Sequence, residues 1–283
     1  MNSFTQPGAP LKSSLAPRWT YAALLVAFLF VLMPFLFWQS TWFGKPLSDD
    51  DIGKYFADTE HPRKAQHALA QIADRILRGD RTVSRWYPQV AGLARHPVVE
   101  IRTTAAWVMG QDNTQPEFHR ALALMLEDAH PLVRRNAALS LVRFQDASGH
   151  AQLLDMLRPF TVVSPHAGAL AQCLKVADVV NPGTLLARIR VGDEDKELRA
   201  ELPGTLERWL ASDGATVAAG QGIATLAPAP EMVWESLRAL VLVGTPADIP
   251  EIERFARASG DLHDTLRQQA QIAIASIRKR NSP

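Results

Sequence analysis

The rhythm of apolar and polar positions divides the chain into a long apolar run, a helical stretch, a strand-like stretch and a second helical stretch. From Tyr21 through Phe43 no residue is charged, and residues 22–38 are nearly all apolar. About 20 such residues at 1.5 Å rise cross a bilayer core, so the pattern predicts a transmembrane helix over residues 21–43. Pro34 would kink that helix, which membrane helices tolerate. Trp19 and Tyr21 at one end, and Trp38, Trp42 and Phe43 at the other, suit interfacial aromatic belts. From Leu47 the apolar period is helical: Ile72, Ile76 and Leu77 share a face, as do Phe118, Leu122, Leu124, Met125 and Leu126. Between Val162 and Pro228 the period shortens to that of strands separated by Pro/Gly turns. It then lengthens again, with Met232, Val233, Leu237, Leu240 and Val241 on one helix, residues 249–258 on a second and residues 266–273 on a last.

The helical stretch repeats itself. His61-Pro62, His96-Pro97 and His130-Pro131 stand about 35 and 34 residues apart, within the range of solenoid repeats, and each pair is expected to open a helix. Ile101-Arg102-Thr103-Thr104-Ala105-Ala106 lines up with Val133-Arg134-Arg135-Asn136-Ala137-Ala138. This resembles the Val-Arg-x-x-Ala-Ala signature of HEAT repeats. The resemblance implies a solenoid of paired helices over residues 47–160 that resumes over residues 231–280. Arg278-Lys279-Arg280 then reads as a solvated helix end whose cations offset the dipole.

The strand-like stretch is two copies of one half-motif. Val162 to Leu170 and Val176 to Ile189 form the first; Leu198 to Leu206 and Asp213 to Leu226 form the second. Each has a Pro/Gly turn, a short strand, a polar turn, a valine, another glycine and another strand. The turns are carried by Pro165, Gly168 and Gly183 in the first copy and by Pro203, Gly204, Gly214 and Gly220 in the second. Together they resemble a biotinyl/lipoyl domain, most closely the version found in membrane-fusion adaptors of the haemolysin-secretion type. The resemblance implies a flattened barrel over residues 161–229 and, in a true carrier, a lysine at the tip between the halves. Here that tip is Val191-Gly192-Asp193-Glu194-Asp195, and the nearest lysine, Lys196, lies past it on the returning side. Asp195-Lys196 imitates part of the Asp-Lys-Ala setting of a modified lysine, and Met-Lys-Met is absent. The expectation is therefore an unmodified barrel without cofactor, Lys196 being the one candidate attachment residue.

Composition narrows the function. The 283 residues carry a formal net charge of +1, which gives no electrostatic drive toward nucleic acid. The single cysteine, Cys173, falls in a predicted strand and reads as a small buried hydrophobe. No Cys/His cluster has metal-ligand spacing, and His61, His96 and His130 are expected to fill one structural place in successive repeats. Gly220-Gln221-Gly222 lacks the third glycine and the helix of a dinucleotide fingerprint, and no nucleophile elbow or P-loop is present. Trp86, Tyr87 and Trp107 read as core residues, whereas Trp209 and Trp234 are expected to form the seam between barrel and solenoid. Residues 1–20 are polar and predicted to be disordered. Lys12 and Arg18 precede the apolar run and Asp49, Asp50 and Asp51 follow it, so the amino terminus is expected in the cytoplasm of a single-pass cell-membrane protein and the bulk in the periplasm.

The sequence thus predicts a mainly α chain: a HEAT-like α-solenoid with an inserted all-β lipoyl-like barrel behind one N-terminal transmembrane helix. The function expected is a non-enzymatic protein-interaction scaffold, an accessory subunit or assembly factor of a transport or respiratory complex, with other membrane or periplasmic proteins as partners. A periplasmic adaptor of an export system is the alternative. The coiled-coil hairpin that usually separates the lipoyl halves in that family is replaced here by the short connection Val191–Lys196. A covalent cofactor carrier is a third reading and requires a modified Lys196.

Overall fold

The computed structural model describes residues 18–40, 46–58, 61–257 and 264–282. It divides into two compact units, residues 1–50 and 51–283. In the first, α1 (Arg18–Ser40) is a 23-residue helix containing Pro34. Its described side chains, Tyr21 and residues 24–36, are exposed except for half-buried Leu32. Among the described residues no helix is long and apolar enough to cross a membrane. The span expected over residues 21–43 is therefore not established by the structure. Residues 1–17 of the expected disordered segment, and Trp42 and Phe43, lie outside the described residues.

The second unit combines a helical stack with a β-sandwich. After α2 (Asp49–Ala57), which buries Ile52, come α3 (Pro62–Leu77), α4 (Tyr87–Gly92), α5 (Val99–Met109), α6 (Pro116–Met125), α7 (Pro131–Arg143) and α8 (His150–Asp155). Eight strands follow, then α9 (Pro230–Val243), α10 (Ile249–Ala256) and α11 (Asp264–Arg280). α3 packs on α5, α5 on α7, α7 on α9 and α9 on α11, while each of α4, α6, α8 and α10 packs on the odd-numbered helix that follows it. Apolar rows drive this, for example Ile101, Ala105, Ala106, Val108 and Met109 of α5, all buried. Small residues let the helices approach. A Cβ on Gly110 would lie 2.5 Å from Ser140 Oγ, and one on Gly149 would lie 2.6 Å from Ala138 Cβ.

Two details differ from the sequence reading. α3 and α7 begin at Pro62 and Pro131, but α5 begins at Val99, beyond Pro97. What keeps register is an arginine. Arg102 Nη1 donates to the carbonyls of His96 (2.8 Å) and Pro97 (3.1 Å), and Arg134 Nη1 donates to those of Asp128 (2.7 Å) and Ala129 (2.9 Å), the same two places in each repeat. The basic end of α11 is also more than a solvated tip. Arg280 Nη2 donates to Gly244 O (2.7 Å), closing the carboxyl end of α9, whose last carbonyls have no partner within the helix.

The strands are β1 (Phe160–Val163), β2 (Gly168–Gln172), β3 (Val179–Val180), β4 (Leu185–Val191), β5 (Glu194–Arg199), β6 (Gly204–Trp209), β7 (Thr216–Val217) and β8 (Gly222–Pro228). They form two antiparallel sheets of order β1-β8-β6-β3 and β5-β4-β2-β7. Advancing every strand by four converts one order into the other, a pseudo-twofold relation between the halves. Individual hydrogen bonds obey it. Gly183 N and Ala200 N donate to Ala200 O and Thr184 O (both 2.8 Å), as Gly220 N and Ser164 N donate to Ser164 O (2.7 Å) and Gln221 O (2.9 Å). The core between the sheets holds Val162, Leu170, Val180, Leu186, Ile189, Leu206, Val217, Ile223 and Leu226. Gly192 (φ +61°) and Asp193 make the two-residue turn joining the halves, with Val191 opposite Glu194.

The sandwich leaves the stack after α8 and returns before α9 through neighbouring strands, Phe160 lying opposite Leu226. The stack runs on past it. Tyr87 of α4 donates to Asp112 Oδ2 (2.8 Å), His119 of α6 hydrogen-bonds Asp146 Oδ2 (2.7 Å), and His150 of α8 hydrogen-bonds Asp248 Oδ2 (2.8 Å). The third rung joins residues on either side of the β insert, so one register of helix pairs spans it.

Candidate functional site: a groove across three helices

The close approach of α5 and α7 at Gly110 and Ser140, where Ser140 Oγ donates to Ala106 O (2.8 Å), leaves their outward rows splayed. Trp107 and Gln111 from α5 and its end, Asn136, Leu139 and Arg143 from α7, and Met232, Glu235, Arg238 and Leu242 from α9 line a groove of about 410 Å³. Trp107 is 44% exposed, although Ala106 and Val108 on either side of it are buried, and Leu242 is 62% exposed. Apolar surface of that size left in water on a regular helical face is characteristic of a contact surface. Aromatic and arginine side chains dominate the energetics of such contacts.

The charged groups on the rim are held in place. Arg143 Nη1 donates to Gly110 O (3.0 Å) and Gln111 Oε1 (2.7 Å). The Arg238 guanidinium stacks 4.6 Å above the Trp234 ring, with Glu235 at 3.8 Å. Two arginines and one glutamate leave the rim net positive. This arrangement can seat an apolar side chain and pair with an acidic one. Among the described residues no group of three or more His, Cys, Asp or Glu could hold a metal ion.

The residues singled out from the sequence fall elsewhere. Gly168 and Gly204 open the equivalent strands β2 and β6, where a Cβ would stand 2.2 Å from Arg190 O and 2.3 Å from Ala227 O. Gly183, Gly214 and Gly220 take φ of +86°, +76° and +79° in turns. Pro165 and Pro203 sit in the bends that precede β2 and β6. Lys196 lies within β5 opposite Ile189, paired with Glu194, rather than at the turn. Trp209 donates from Nε1 to Leu174 O (3.3 Å) and packs on the sandwich core. Trp234 borders a cavity with Pro230, Glu231, Glu235, Thr265 and Leu266. The expected seam between the two tryptophans is thus replaced by two separate surroundings.

Three further readings are corrected. Trp107 is a groove residue, not a core one: it is 44% exposed and lines the groove with Gln111. Cys173 is exposed, since β2 ends at Gln172. His96 and His130 do share a role, their Nδ1 atoms accepting from Val98 N (3.1 Å) and Leu132 N (3.2 Å), but His61 pairs with Asp58 instead.

A signal not read from the sequence is Asp-x-Thr/Ser at Asp80-Arg81-Thr82, Asp112-Asn113-Thr114 and Asp146-Ala147-Ser148. In each, an aspartate Oδ1 accepts from the backbone N–H two residues on, at 2.9, 3.0 and 2.7 Å. Hydrogen bonds from Thr82 and then Arg75 hold the Asp80 carboxyl below the usual carboxylate range. Burial alone would raise Asp112 and Asp146, but bonds from Thr114 and Tyr87, and from Ser148 and His119, outweigh it and lower both.

No family model matches the chain. No curated protein matches it.

Proposed function

We propose that the chain is a membrane-anchored protein-interaction scaffold whose α5–α7–α9 groove takes an amphipathic segment of a partner protein, an acidic side chain beside apolar ones. The observation that carries this reading is the exposed Trp107 and Leu242 on a rigid helical face, flanked by Arg143 and Arg238. The HEAT-like reading of the stack rests on its paired helices and repeating Arg102/Arg134 contacts. The lipoyl-like reading of the sandwich rests on the pseudo-twofold relation of its halves. Anchoring rests on the uncharged, largely apolar run of residues 21–43 in the sequence. The cell membrane, with the amino terminus cytoplasmic and the bulk periplasmic, is the location the charge pattern favours.

A second reading, an adaptor of an export system, draws on the same pseudo-twofold sandwich. Its weak point is the two-residue turn at Gly192-Asp193, which leaves no room for a coiled-coil hairpin. A photo-crosslinking residue placed at Leu242, and separately at Asp193, tests one reading against the other in native membranes. The scaffold reading expects one defined adduct from position 242, lost when Trp107→Ala is added. Adducts from position 193 with none from 242 would reject it in favour of the adaptor.

A further inference from the structure

A second cavity, of about 260 Å³, lies where α8 hands the chain to β1 and is lined by Pro131, Arg134 and Arg135 of α7, Gln152 and Asp155 of α8, and Arg158 to Thr161. Arg135 is only 5% exposed. Among the described residues its guanidinium makes one long hydrogen bond, from Nη2 to Asp155 O (3.3 Å). A largely buried guanidinium with so few protein acceptors is costly, and its Nε and Nη1 are not sealed off from solvent, so a bound group can still reach them. Burial first, with Arg134 adding to it and Asp155 opposing, pulls its pKa down to about 10. Among the described residues lining the cavity Asp155 carries the only carboxylate, yet it is 66% exposed and lies 3.7 Å from Arg158.

Two other arginines border the same space. Arg134 uses Nη1 on backbone carbonyls, and Arg158 donates to Glu251 from Nε and Nη2. Gln152 adds an independent observation: its Oε1 is buried with no hydrogen-bond partner. The cavity therefore lacks two things, acceptors for Arg135 and a donor for Gln152. A carboxylate supplies only the first. A phosphate group carrying a proton supplies both, since its second pKa, about 6 for a monoester, leaves part of it protonated around neutrality.

We infer that the cavity between α7, α8 and β1 is a phosphate-binding site, taking inorganic phosphate or a phosphomonoester. The arginines of α7 and the linker arginine Arg158 would then close on one oxyanion, and occupancy would fasten the start of the β insert to the helical stack. The site is separate from the groove and does not depend on the reading given to it.

The test uses the full chain in detergent, with inorganic phosphate, glycerol phosphate and acetate titrated by calorimetry and by thermal shift. One phosphate per chain is expected, with acetate binding at least roughly tenfold more weakly. Arg135→Gln should abolish binding and Arg134→Gln should weaken it roughly ten- to a hundredfold, whereas Arg120→Gln on α6 controls for lost net charge. Should Arg135→Gln fail to fold, the Arg134→Gln comparison still decides. Tighter binding of glycerol phosphate than of phosphate would assign the site to a phosphomonoester. No binding of either phosphate, acetate binding as tightly, or an unaltered affinity in Arg134→Gln would overturn the inference.

Discussion

Gly168→Ala and Gly214→Ala are the same chemical change at two places in the sandwich, and they should cost very different amounts. At Gly214 a Cβ meets nothing within 4 Å, so the cost is conformational alone: φ is +76°, where an L-residue is disfavoured by about 1–2 kcal/mol. Part of that is returned because alanine has less freedom to lose than glycine, leaving about 1 kcal/mol. At Gly168 the Cβ would stand 2.2 Å from the Arg190 carbonyl oxygen. A C···O contact needs about 3.3 Å, so β2 and β4 must part by about 1 Å. β2 is held on both sides, by β4 and β7, and cannot move away from one without disturbing the other. Loss of one or two ladder bonds at about 1 kcal/mol each, with overpacking of about 1–2, gives about 2–4 kcal/mol. Hydrogen exchange read at the sandwich amides converts this to faster opening by roughly 30- to 900-fold for Gly168→Ala and about fivefold for Gly214→Ala. Equal effects at the two sites would refute the argument from backbone contact.

The pseudo-twofold relation makes a prediction of opposite sign at Ala177, which takes φ +74° where the other half has Gly214. Ala177→Gly should stabilise the sandwich by about 0.5–1 kcal/mol, measured as slower exchange; faster exchange would break the equivalence. Tyr87→Phe removes one donor from Asp112 and should cost about 1–2 kcal/mol in denaturant unfolding followed by helical signal. The carboxyls of Asp80, Asp112, Asp128 and Asp146 sit below their unfolded values. Their contribution is therefore complete above about pH 4 and is lost as pH falls through the folded values, so the melting temperature should drop steeply from pH 4 to 2. A flat profile over that interval would contradict the aspartate assignments. The carrier reading predicts a biotinyl or lipoyl increment on Lys196, which an intact mass of the natively expressed chain would show or exclude.

How much of this was legible in the sequence depends on range. Local chemistry read well. Gly183 and Gly220 were recognised as turn glycines and have positive φ, and the two half-motifs correspond to β1–β4 and β5–β8. Sheet order was not legible, because it pairs residues from opposite ends of the insert, such as Phe160 with Leu226. Trp107 reads as core in the sequence for a similar reason. A 3.6-residue period says which residues share a face, not which face a neighbouring helix will cover. In the sequence the His-Pro pairs mark the repeat, whereas the structure keeps register through Arg102, Arg134 and the loop aspartates. Asp112 and Asp146 could have been found by their Asp-x-Thr/Ser spacing. Their partners Tyr87 and His119 are one repeat away and become visible only in the stack. The phosphate cavity could not be foreseen, because Arg135 reads as an ordinary member of a helical signature until its burial is known.

The central claim is that the groove across α5, α7 and α9 holds a protein partner. Its most direct test is co-purification from native membranes in mild detergent of the wild-type chain and of a Trp107→Glu/Leu242→Glu double variant, two exposed sites where substitution should leave folding intact. The account predicts that the wild type carries a defined partner in fixed stoichiometry and that the variant, with unchanged helical content, loses it. The same partner recovered with both chains, or no partner recovered with either, would contradict it.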